Sequence, residues 1–124
     1  MIKNIYVDFD GVINSYQTPV NKTEGVNELP DDALPGALEW LSDLIKNFHV
    51  TIYSTRLVNG AETERAISQW LLDQGLYHYD LDKLSFSAVK HGAHVYIDDR
   101  AWRYEGGAYP TVQELEDFKP WGKK

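Results

Sequence analysis

Tyr6-Val7-Asp8-Phe9-Asp10-Gly11-Val12 carries the reading of the whole chain. Two aspartates, two positions apart, leave the end of an apolar run from Ile2 to Val7, and a glycine follows at once. Along a strand, residues i and i+2 share a side, so both carboxylates can point into one pocket. Gly11 allows the chain to turn sharply there. Like charges this close raise at least one pKa or call for a cation. The plainer alternative is a β-hairpin closed by an Asp-Gly turn. Against it, Val12 and Ile13 lead into a polar segment and not into an alternating return strand.

Working outward, the same pattern recurs. His94-Val95-Tyr96-Ile97 reads as a short buried strand and is followed by Asp98-Asp99-Arg100; His49-Val50-Thr51-Ile52-Tyr53 ends in Ser54-Thr55-Arg56. Lys90 stands just before the last strand. Strands are expected at about 3–8, 49–54 and 94–97, with a short one at Leu84-Ser85-Phe86. Leu34, Leu38, Leu41, Ile45 and Phe48 follow helical spacing behind Pro35-Gly36. Ala66, Ile67, Trp70 and Leu71 mark a second helix over 61–74 with Gly75 as its stop. Thr111-Val112-Gln113-Glu114 has the form of a capping box opening a last short helix. Residues 14–33 are polar, with Pro19, Gly25 and Pro30, and read as a loop or flap; 119–124 reads as a tail. This alternation implies a single α/β domain over 1–124: a mostly parallel sheet, helices on both faces, and strand carboxyl ends on one edge, where ligands bind.

Composition narrows the function classes. The 124 residues hold 43% apolar side chains, enough for one core. No cysteine is present, so disulfide and thiolate chemistry are excluded. The amino-terminal apolar stretch is too short for a signal peptide or a membrane span, so a cytoplasmic protein is the expectation. A net charge of −7 argues against an extended nucleic-acid partner. Oligomeric state is not readable.

The order Asp-x-Asp, Ser/Thr, Lys, Asp-Asp along these strand ends resembles the haloacid dehalogenase (HAD) superfamily of phosphohydrolases, over nearly the whole chain. Asp8-Phe9-Asp10-Gly11-Val12 is similar to its first motif, Ser54 to its second, Lys90 (or, failing that, Lys83) to its third, and Asp98-Asp99 to its fourth. The resemblance implies a three-layer Rossmann-like fold and a Mg²⁺-dependent phosphomonoester hydrolase. Asp8 would be the nucleophile, forming an aspartyl-phosphate, and Asp10 the general acid and base. Asp8, Asp98, Asp99 and Asp10 (the last through its backbone carbonyl) would hold the Mg²⁺. Ser54 and Lys90 would hold the phosphoryl oxygens, with Thr55 and Arg56 beside them. Neither gap between motifs is long enough for a cap domain with its own core, so an open site is expected, partly covered by 14–33. The substrate is a phosphorylated compound of unnamed kind.

Other readings stay beside this one. Asp98-Asp99 and Ser54 or Thr55 could merely cap helices, Lys90 could be a solvated charge, and Arg56 and Arg100 could pair with the acidic cluster. A phosphotransferase would share the intermediate. A non-catalytic relative would keep the fold as a binding or scaffold protein, although Asp8 and Asp10 are both present. A receiver domain is opposed by the order of the residues. Trp40 and Trp70 are expected in the core, and His49 and His94 as structural histidines. Trp102 and Tyr104 are expected at the pocket mouth or in edge packing.

Overall fold

The computed structural model describes residues 2–121. Strands β1 (Asn4–Asp8), β2 (His49–Tyr53), β3 (Leu84–Ser87) and β4 (Val95–Ile97) form one sheet in the order β3-β2-β1-β4. Every neighbouring pair is parallel, so the hairpin alternative for the Asp-Gly step is excluded. The fold is α/β and compatible with a Rossmann-like arrangement.

Alternation in the strands builds the core. Ile5 and Val7 lie in register with Val50 and Ile52, and these with Leu84 and Phe86; Val7 also faces Ile97. Helix α1 (Ala37–Asn47) adds Leu38, Leu41 and Ile45, and α2 (Ala61–Asp73) adds Ile67, Trp70 and Leu71, all to the same cluster. Each large apolar side chain buried there stabilises the fold by about 1.5–3 kcal/mol. Helix α1 carries Glu39 in its first turn and Lys46 in its last, matching the helix dipole. Helix α2 stops where Gly75 takes φ 113°: its N–H donates to the Leu72 carbonyl and that of Leu76 to Leu71, a Schellman closure.

The helices cover one face only. The crossovers β1-α1-β2 and β2-α2-β3 step the same way across the sheet, and right-handed connections then leave both helices on one side. The return to β4 runs through residues 88–94 without a helix, and α4 (Val112–Asp117) buries none of its residues. The expectation of helices on both faces, a three-layer sandwich, is therefore corrected for the described residues. Tyr6 and Thr51 lie in register on the second face, with Tyr96 opposite Tyr6. Tyr6 is closed off by the ring edges of Tyr96 at 5.9 Å and His91 at 6.4 Å. The Tyr96 hydroxyl donates to the His91 carbonyl at 2.5 Å.

The polar stretch 14–33 is pinned. Asp31 accepts from the Thr18 N–H (2.7 Å) and hydroxyl (2.9 Å), the Asp31 carbonyl accepts from the Trp70 indole at 3.0 Å, and the Thr63 hydroxyl donates to Asn27 at 2.5 Å. Trp70 is core, as expected, whereas Trp40 sits at the rim, 37% exposed. A short helix, α3 (His78–Leu81), packs on α2 and was not foreseen. Of the expected tail, residues 122–124 lie outside the described part.

Candidate active site

Strand order reverses at β1: β2 and β3 lie to one side, β4 to the other. The carboxyl ends of β1 and β4 flank that switch point, where a crevice forms in open α/β sheets. Asp8 closes β1, and Asp98 and Asp99 follow β4 directly. Each of these three offers a carboxylate oxygen, and the oxygens lie within 4.8 Å of one another. No helix begins near Asp98-Asp99, so the capping alternative fails for them. Ile97 joins the core and leaves Asp98 at the rim.

Gly11 makes the cluster possible. Its φ is +86°, and a Cβ there would stand 2.2 Å from Asp99 Oδ2. Only glycine lets the loop after β1 approach that carboxyl.

Three crowded carboxyls cannot all ionise cheaply. Burial, then the hydrogen bond shared with Asp99, then the charges of Asp98 and Asp99 push Asp8 up to about 8, against a small opposing pull from the Phe9 N–H. Asp98 goes the other way. Burial raises it, but the hydrogen bond from Lys90, that from the Arg100 N–H and both positive charges outweigh burial and hold it below the usual carboxylate range. Burial alone would lower Lys90; Asp98, with Tyr53 and Asp8 behind it, raises it instead. The Lys90 ammonium pairs with Asp98 and lies 4.9 Å from the centre of the Tyr53 ring. Lys83 precedes β3 and so stands at the opposite sheet edge. Lys90 is the lysine of this site.

Asp10 stands apart from the three. Its Oδ1 accepts from the Asn14 amide at 2.9 Å and its Oδ2 from Arg56 Nε at 2.8 Å. The Arg56 side chain is 2% exposed and also donates to the Val26 carbonyl. Arg56 therefore pairs with Asp10, the ion-pair alternative for this residue, and is not among the residues that line the cavity described next. The Asp10 side chain is likewise not part of the acidic cluster. Ser54 Oγ accepts from the Arg56 N–H at 3.1 Å, capping the 3-10 turn Thr55–Asn59. Its O–H remains free to donate.

A cavity of about 360 Å³ is lined by Asp8, Asp10, Ser54, Thr55, Lys90 and Asp98, among others. It thus brings together every expected site residue except Arg56. Sequence reading missed Asn14, Tyr16 and Tyr53. Tyr53 ends β2 at the same edge and could have been read from its register. Asn14 and Tyr16 sit in an irregular loop whose course no periodicity reveals. Trp102 and Tyr104 line neither this cavity nor the one beside it, and Tyr104 stacks on Tyr109 at 5.0 Å. His49 accepts or donates to Ser85 at 3.1 Å, a structural role as expected.

No helix among the described residues is long and apolar enough to cross a membrane. No protein-family model, curated protein or solved structure matches the chain.

Proposed function

We propose that the chain is a phosphomonoester hydrolase of the HAD type, working through an aspartyl-phosphate on Asp8. The observation that carries this reading is the convergence of Asp8, Asp98 and Asp99 with Lys90, Ser54 and a separately oriented Asp10 at one strand-end cavity. The donor set suits a hard divalent cation such as Mg²⁺, because all the ligands are oxygens. Asp99 Oδ1 supports that fit: it is buried and has no hydrogen-bond partner. Asp8, Asp98 and Asp99 would hold the ion, which when bound supplies charge neutralisation for the approach of an anionic phosphate.

The chain's own groups divide the remaining work. An Asp8 oxygen attacks phosphorus, and the bond from phosphorus to the ester oxygen breaks. Asp10 gives the leaving oxygen its proton, then takes one from the water that hydrolyses the aspartyl-phosphate. Asn14 and Arg56 each occupy one lone pair of an Asp10 oxygen and leave a second for that proton. The Ser54 O–H and the Lys90 ammonium line the cavity and supply donors to the phosphoryl oxygens. The open cavity, with no covering domain among the described residues, agrees with this reading.

The test is phosphate release from a generic aryl phosphate with and without Mg²⁺. Metal-dependent turnover by the wild type that disappears in Asp8→Asn supports it; turnover that survives Asp8→Asn refutes the nucleophile.

A further inference from the structure

A second cavity, of about 410 Å³, adjoins the first. The two share Tyr16, Asp99 and Arg100 as a common wall. The second adds Ser15 and Gln17 from the loop after β1, and Trp121 from the far end of the described chain. Trp121 is fixed there by its indole N–H, which donates to the Gly11 carbonyl at 2.8 Å. Tyr16 is held in a left-handed conformation, φ 55°, unique among described non-glycine residues. Its ring carries the Arg56 guanidinium at 5.7 Å. Strain of this kind persists where the surroundings over-determine it, and it gathers at ligand sites.

We propose that this cavity is the leaving-group subsite and that Tyr16 and Trp121 select a nucleoside, making a nucleoside monophosphate the substrate class. The inference rests on the phosphohydrolase reading, which puts the phosphate in the first cavity. A group esterified to that phosphate then enters the second, past Tyr16 and Arg100. Two aromatic side chains and a guanidinium offer flat partners to a planar ring. Gln17 and Ser15 offer donors and acceptors to a heteroaromatic edge. The volume is in the range of cavities that take whole small molecules and exceeds what one phenyl ring fills. Asp99 on the shared wall and the chain's net charge of −7 disfavour further phosphates or a polynucleotide. A neutral nucleoside on a single phosphate meets all of these conditions.

The experiment compares kcat/KM for adenosine 5′-monophosphate, ribose 5-phosphate and phenyl phosphate, in wild type and Trp121→Ala. In parallel, ligand-observed NMR follows unphosphorylated adenosine, whose binding needs no turnover. The expected result is a preference of tenfold or more for the nucleotide over ribose 5-phosphate. In Trp121→Ala that preference collapses at least fivefold, and adenosine binding weakens with it. Phenyl phosphate matching the nucleotide overturns the nucleoside assignment. Equal use of nucleotide and ribose 5-phosphate overturns the subsite, while Asp8-dependent turnover of both keeps the phosphohydrolase reading. Absence of all turnover refutes that reading, and the adenosine signal and its response to Trp121→Ala then decide the subsite alone.

Discussion

Cation binding should expel a proton, and its amount follows from the crowding of the three carboxyls. With Asp8 pushed up to about 8 by burial, by Asp99 and by the Asp98 and Asp99 charges, about nine in ten molecules carry that proton at pH 7. A divalent cation among Asp8, Asp98 and Asp99 takes the proton's place, since ligating carboxylates must be ionised. Mg²⁺ binding should therefore release most of a proton at pH 7 and progressively less as pH rises through about 8. The apparent affinity should rise about tenfold from pH 6 to 7 and level off above pH 8. Titration calorimetry in buffers of different ionisation enthalpy reads the proton count as the slope of apparent enthalpy on buffer enthalpy. Asp8→Asn should bind more weakly and release none. Binding at pH 7 with no proton release, or with an affinity that is flat between pH 6 and 8, would refute the account of Asp8.

Three further outcomes are expected. Gly11→Ala puts a methyl at φ +86° and against Asp99; it should destabilise the fold by about 2 kcal/mol or more in urea denaturation and abolish the Mg²⁺-dependent rise in melting temperature. Arg56→Met removes the buried partner of Asp10 and should cost about 3 kcal/mol of stability; a folded variant of unchanged stability with only a raised KM would return Arg56 to the phosphate contacts. The raised Asp8 carboxyl favours the folded state below its ordinary value of 3.8, and that stability is lost as pH rises through about 8. With chelator present, the unfolding free energy from urea denaturation should therefore fall across that window, by on the order of 2 kcal/mol after screening by water, and Asp8→Asn should remove this part of the fall.

Periodicity made the parallel sheet, α1, α2 and the capping box at Thr111 legible, because each rests on local spacing or a local cap. The strand-end convergence of Asp8, Asp10, Ser54 and Asp98 followed from topology alone. What failed to show was long-range. Nothing in the sequence of 88–94 says that no helix will cover the second face, since alternation favours helices between all strands. Arg56 reads as a substrate contact or as the partner of a carboxylate, and nothing in the sequence decides between them, because its burial depends on Val26 and Asp10, 30 and 46 residues away. The Trp121–Gly11 contact spans 110 residues, and no pattern in either segment foretells it.

The thinness of β4 has a consequence for how the site comes into being. Three register pairs hold this edge strand to β1, yet it delivers two of the three clustered carboxylates. The helical layer and the β1-β2-β3 part of the sheet arise from neighbouring segments, whereas uniting Asp8 with Asp98 closes a loop of about 90 residues. Contacts of that span form late. A chain emerging from the ribosome would have its apolar core assembled before the three carboxylates meet, so a folded precursor without the acidic cluster precedes the complete molecule. Fraying of β4 in the finished molecule would retrace that last step, dismantling the acidic cluster while the core stays intact.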